Sequence, residues 1–524
     1  MNVADQKEII FTPEAKGMRF LPSAKGASVN FSRFKEMREK ELKIIRQAPI
    51  GRMENPIGYA KLKEEARSSK ASTGASHFLQ SDAQETNTVA ETRELRAEIN
   101  FAGLDDTVWK PPNSQIAAGP DHLLIAVNSA LAIFDKTGRQ MLRIGLDNLF
   151  SQLIQDAIVC SPRVIYDQFR DGWVIAACAQ SAGERRSWFL LAYSTGPNPL
   201  DDWFIWAHAA DFNGKIRTGH WADDIGLSVD NNWLYLTTNM FNANARFLYS
   251  KLRILNKKEM QSGGALHGWD FWELRNADGS MAFGVQPALN LRAAVAQYLL
   301  NATNDGQGLT QWSVTYAARQ EPVLKRRFIP TRKFLLAPNA KQLQSAAEIE
   351  TGDTRLTNVV FRQGMLWTGH TVAADWGGES NTAAIHWLQL NARAGSVTQQ
   401  GIFGAAHLHY FCPAVMPDGE GNLVLVFNRV GESEFPSIRY TGRLATDEPN
   451  VLQESALLQQ NSASGSAEWS VRSGVACAPE DYAIWMIGQY AVADEGWATW
   501  IGAATYAKPD VLTDELNFGE PSQM

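Results

Sequence analysis

Seven copies of one strand pattern, a period-two alternation of apolar and polar residues, and tryptophans confined to the repeating part predict an all-β fold. The architecture they specify is a seven-bladed β-propeller of four-stranded antiparallel blades, preceded by an N-terminal helical and extended arm. The arm with its linker takes 1–94, the propeller 95–506, and a C-terminal tail 507–524.

The repeat is read from its second strands, usually the more apolar. They begin near 122, 173, 233, 297, 365, 422 and 482, at intervals of about 51 to 68 residues. A four-stranded blade needs roughly 40 to 50 residues, so the interval leaves room for longer loops. One blade is written out in full at 163–167, 172–178, 188–193 and 203–207, and the next at 225–230, 233–238, 247–253 and 269–272. A leading copy starts at 116, and three others at 287, 358 and 414. Turn signals such as Asp418-Gly419 separate the strands. The last copy, from 474, is one strand short. Segment 95–101 supplies that outer strand and closes the ring, because an open ring would expose a sheet edge. Most of the 17 tryptophans, which all lie between Trp109 and Trp500, then fill the wedges between blades.

The arm is different material. Through Arg96 it carries 17 basic and 13 acidic residues, leaving 32 basic and 43 acidic residues for the rest. Asn30 reads as a helix cap followed by Phe31, Phe34, Met37, Leu42 and Ile45, near a 3.6-residue period, and the helix ends before Pro49. A weaker helical patch covers 59–67, and 68–92 reads as a linker or as extended chain on a surface. Such an arm either packs along its own body or grips another subunit.

Composition excludes several classes. With 45% hydrophobic and 20% charged residues the chain is not largely disordered. A net charge of −7 gives no electrostatic reason to bind nucleic acid or an anionic membrane. No apolar stretch reaches the length of a spanning helix. Lys7, Glu8, Glu14 and Lys16 interrupt the start, so no signal peptide is visible.

Four segments carry a family likeness: Pro162, Val164, Tyr166 and Asp167 before Trp173 and Val174; Trp221, Asp223 and Asp224 before Tyr235, Thr238, Asn239 and Phe241; Phe435 to Arg443; and Trp497 to Gly502. In these the chain resembles a group of largely uncharacterised, often exported bacterial propeller proteins. The resemblance implies the fold over roughly 95–506 and no settled activity. That group usually shows Trp-Gly-Asp-Tyr in the last blade, where this chain has Glu468, Trp469, Ser470 and Val471.

Standard catalytic signatures are mostly absent: no Gly-x-Ser-x-Gly elbow, no His-Glu-x-x-His, no P-loop and no Cys-x-x-Cys. The loops entering the innermost strands and those after the second strands share one face. They carry Trp221, Asp223, Asp224, Asn239, His370, Trp376, His409, Tyr410, Arg429, Glu468, Trp469 and Tyr490 as a candidate binding face, with His220, Asp375, His407, Asn428 and Gln489 beside them. Asp223 or Asp224 facing Glu468 across a sugar is the candidate acid–base pair; the competing role is structural, capping a turn or pairing with a basic neighbour. His407 and His409 would sit on one side of a strand and could ligate a metal, though no third ligand is apparent. Two cysteine pairings fit the register, Cys160 with Cys178 and Cys412 with Cys477, as do free thiols. No residue is assigned a catalytic or metal role, and no cofactor is indicated. The leading expectation is a non-enzymatic binding or structural propeller. It would be a subunit of an extracellular or particle-surface assembly, engaging protein, glycan or its own copies through the arm. The alternative is a hydrolase or lyase acting on a polysaccharide at the polar face.

Overall fold

A computed structural model describes residues 10–20, 24–34, 46–47, 51–73, 95–105, 109–181, 185–317, 321–377, 380–460, 463–467, 469, 472–479, 483–492 and 496–506. Its seven sheets of four or more strands are the seven expected blades, and three two-stranded ribbons lie outside them. Blade 2 is representative. Its strands Ala157–Asp167, Gly172–Ser181, Ser187–Ser194 and Asp202–Ala209 pair in sequence, each antiparallel to the last. Their buried side chains alternate between the two neighbouring wedges. One cluster joins blade 1 to blade 2 through Leu124, Ile133, Trp173 and Ile175, while the opposite face of blade 2 packs on blade 3 through Val174, Leu191 and Leu234. Trp173, Trp203, Trp312, Trp387, Trp485 and Trp497 are fully buried among these layers, which is the wedge-filling expected of them.

Closure follows the expected route. Strand Leu95–Asp105 pairs antiparallel with Gly496–Tyr506, so the seventh blade joins an early strand to three late ones. Blade 4 departs from the regular plan. Its inner strand is only Gln286–Pro287, after which Leu289–Asn290 crosses to run parallel to Val360–Phe361 of blade 5. Proline lacks the N–H a longer ladder would use, which suits a strand that stops there.

The arm is laid on this ring in pieces. Strand Lys16–Phe20 extends blade 3 as a fifth strand beside Gly268–Trp272, and Ala27–Asn30 extends blade 2 beside Asp202–Ala209. The helix expected after Asn30 is not formed there. A single 3₁₀ turn, Phe31–Arg33, gives way to extended backbone at Phe34, and the Asn30 side chain caps nothing. Tertiary capture overrides the periodicity: Phe31 stacks on Trp203 with ring centroids 4.5 Å apart. Met37, Leu42 and Ile45 lie outside the described residues. The second helical patch is a helix at Pro56–Glu65, with Pro56 in its first turn and the Asn55 side chain accepting from the Gly58 N–H at 3.0 Å. Farther on, Ser72–Thr73 pairs with Ala374–Asp375.

Three innermost strands share a bulge at the same place. The register slips between Cys160 and Arg163, between Asp223 and Gly226, and between Phe411 and Ala414. Ser161, Asp224 and Cys412 take left-handed φ values of 52°, 58° and 55° at these bulges. A bulge redirects a side chain that would otherwise enter a wedge, and these three stand at the mouth where the innermost strands begin. None of the four cysteines forms a disulfide, although Cys160 and Cys178 are register partners.

Candidate functional site

At the centre of that mouth, Asp224 is buried and held by guanidiniums from other blades. Arg355 Nη1 donates to Oδ2 at 2.9 Å, and Arg472 donates to Oδ1 from Nη2 at 2.5 Å and from Nε at 3.2 Å. Arg472 also donates to the Thr357 carbonyl. Arg355 is fixed in turn by Asp353, at 2.8 Å through Nε and 2.7 Å through Nη2. Burial alone would raise the Asp224 carboxyl, but Arg472, Arg355 and Arg163 together hold it well below the usual carboxylate range.

The adjacent acid has the opposite fate. Asp223 accepts from Ser161 Oγ at 2.5 Å and from the Gly51 N–H at 2.6 Å. Burial raises its carboxyl above the usual value, and Asp224 adds to the rise. Two neighbouring acids with opposed shifts are the electrostatic pattern of an acid–base pair. Here, however, the arm lies directly on them. Gly51 donates to Asp223 and its carbonyl accepts from Arg355 Nη2 at 2.7 Å, and a Cβ at Gly51 would collide with the Phe241 ring. Glu468, the acid expected to face this pair, lies outside the described residues.

From Gly51 onward the arm is clamped to the 348–352 segment leading into blade 5 and to blade 5 itself. Arg52 pairs with Glu350, and Tyr59 donates to the same carboxylate at 3.2 Å. Lys63, 2% exposed, donates to Thr351 Oγ1 and to the Gly352 carbonyl, each at 2.7 Å. Burial pulls its pKa down to about 7. Arg67 pairs with Glu348, and Asn381 donates to the Ala66 and Ser69 carbonyls.

The other expected face residues are scattered and mostly satisfied within the chain. Trp221 stacks on Phe241 and donates to the Asn242 carbonyl at 2.8 Å. Asn239 is buried, its oxygen accepting from Ser250 Oγ and the Gly284 N–H. His370 lies between the Thr354 carbonyl and His386, and burial takes its pKa down to about 4. Trp376 donates to Thr382 Oγ1, and Arg429 grips Glu434 through two hydrogen bonds of 2.6 and 2.7 Å. Tyr410 stacks on Phe427, Trp469 donates to Asn428 Oδ1, and Tyr490 packs edge-on against Trp500. Among the others, His220 meets the Tyr249 hydroxyl, Asp375 caps the Gly377 N–H, and Gln489 is buried, its carbonyl accepting from Asn428.

His407 and His409 are not a strand-mate pair. The strand starts at Leu408, His407 sits exposed in the preceding turn at φ 64°, and buried His409 accepts from the Ala383 N–H at 3.1 Å. Among the described residues no group of three or more His, Cys, Asp or Glu side chains is placed to hold a metal ion. Toward the opposite end the channel narrows to an apolar cavity of about 40 Å³, lined by Ile116, Val164, Leu289, Leu291 and Val475.

Sequence reasoning marked Asp223, Asp224, Asn239 and His370 at this mouth but missed Arg163, Arg355, Arg472 and Gly51. Each lies in another blade or in the arm, far from Asp224 in sequence. A usable signal was the shared bulge, since aligning the repeats puts Ser161, Asp224 and Cys412 at one position.

No family model matches the chain, and no curated protein matches it. Solved structures that resemble it include a Dyadobacter fermentans protein of unknown function, 9% identical with a TM-score of 0.34, the match covering 79% of this chain and 99% of that one. A Fusarium graminearum GH93 α-L-arabinofuranosidase in complex with arabinobiose is 8% identical with a TM-score of 0.37, covering 78% and 98%. A Trypanosoma rangeli sialidase is 10% identical with a TM-score of 0.33, covering 78% and 60%. Likeness this distant carries no argument about the mouth.

Proposed function

We propose that this chain is a non-enzymatic propeller that works by binding protein or glycan on surfaces outside its central mouth, as one subunit of a larger assembly. One observation carries the reading: both acids at the mouth are consumed by the chain itself, Asp224 by Arg355 and Arg472, Asp223 by Ser161 and Gly51. A carboxylate locked to two guanidiniums under a cover has no access to a substrate and no free proton to move. Assembly through the arm would exchange between copies the strand pairings that the arm makes here with blades 2 and 3.

A polysaccharide-acting hydrolase is the second reading, favoured by the opposed shifts of Asp223 and Asp224. It requires the arm to lift. The variant Gly51→Val separates the two, because the added side chain cannot fit against Phe241 and must displace the arm from the mouth. Wild type and Gly51→Val are compared for release of reducing ends from a panel of neutral and acidic polysaccharides, and for mass by light scattering. The expected result is no turnover in either, with wild type self-associating or retaining a partner. Hydrolysis that appears in the variant would replace the binding reading with the enzymatic one.

A further inference from the structure

The mouth holds a guanidinium whose terminal nitrogens the described residues do not hydrogen-bond. Three buried guanidiniums, Arg163, Arg355 and Arg472, converge there, yet Asp224 has both oxygens engaged by Arg355 and Arg472, and Asp353 is engaged by Arg355. Asp223 is turned toward Ser161 and Gly51. That leaves Arg163. Its Nε donates to the Ile225 carbonyl at 2.7 Å, but the nearest carboxylate oxygen to its terminal nitrogens is Asp224 Oδ1, 3.7 Å from Nη2 and already occupied. No hydrogen bond reaches those terminal nitrogens from the described residues, although the side chain is only 10% exposed. Buried guanidinium N–H groups left without an acceptor are costly, and charge-assisted acceptors are the strongest remedy.

The surroundings point the same way. Ser114 and Ser473 stand where the innermost strands of blades 1 and 7 begin, and both buried hydroxyls find no hydrogen-bond partner among the described residues. Burial, followed by the neighbouring Arg472, pulls the Arg163 pKa down to about 9 against the opposing pull of Asp224.

We propose that the mouth holds a small inorganic anion of chloride size, bound by the terminal nitrogens of Arg163. It would complete the electrostatic ring that ties blade 2 to the Asp224 cluster beneath the arm. The proposal is independent of whether the propeller is an enzyme.

Crystals of the full chain soaked in sodium bromide test it by anomalous diffraction. A bromide peak within hydrogen-bonding range of the Arg163 guanidinium is expected. In solution, wild-type Tm should rise saturably by a few degrees as chloride replaces gluconate at constant ionic strength, because gluconate is too large to reach a guanidinium that is only 10% exposed. Arg163→Met should lose that saturable component. Absence of a bromide peak, which would mean water alone fills the space, overturns the proposal, as does an identical chloride response in wild type and Arg163→Met. If Arg163→Met fails to fold, the bromide peak in wild type decides.

Discussion

The arm and the propeller body hold their shapes in different ways. The body is ordered by its own repeat: each blade buries its faces against two similar neighbours, so alternation alone specifies where side chains go. The arm has no such neighbour of its own kind. Lys16–Phe20 and Ala27–Asn30 become strands only against blades 3 and 2, and the helix Pro56–Glu65 is anchored through Tyr59 and Lys63 to the Glu350 to Gly352 segment. The charge asymmetry between the two regions finds its partner inside one molecule, in Lys16 with Glu273, Arg52 with Glu350 and Arg67 with Glu348. A segment whose order is borrowed has to be read from its host.

The largest test of this contrast lies in the body. Asp224→Asn removes the charge that Arg355 and Arg472 share, stranding buried cations. It should destabilise the chain by about 3–5 kcal/mol in denaturant unfolding; a loss below about 1 kcal/mol would mean the cluster relaxes freely. A smaller effect is expected of the arm's titration. Docked Lys63 releases its proton near pH 7, whereas released Lys63 does so near its ordinary value of 10.5. Between those values the released arm binds the extra proton, so docking strengthens as pH rises, by up to about 1.4 kcal/mol per unit, and is flat below pH 7. Cleavage within 51–73, taken as the ratio of wild type to Lys63→Met across that range, should fall with rising pH; a constant ratio would remove Lys63 from the latch. The smallest effect belongs to Arg67→Ala. Its ion pair with partly exposed Glu348 should contribute less than about 1 kcal/mol, read as a modest rise in cleavage with no change in the unfolding of the ring.

The same contrast explains what the sequence made legible. The seven blades and the closing role of the 95–101 segment were readable because period-two alternation and repeat spacing are local signals that the sheet then obeys. The patch around Tyr59 was readable because Asn55 and Pro56 mark a helix start whatever lies nearby. The run after Asn30 misled, since Phe31 answers to Trp203 in another blade. The mouth was half readable: Asp223 and Asp224 stand out as a pair, but no spacing rule connects them to Arg355, Arg472 or Gly51. Those contacts come from ring geometry, which brings the start of every innermost strand to one axis.

The route of closure also sets a timetable for the nascent chain. The seventh sheet cannot be completed until residue 506 has been made, although its outer member, Leu95–Asp105, is among the first segments synthesised. Blades 2 and 3 can form and receive the arm well before then. Arg472, near the end of the order, reaches Asp224 only afterwards. Ring closure and completion of the Asp224 cluster therefore both wait on the last part of the chain, so a ribosome-bound intermediate would carry Asp224 without Arg472.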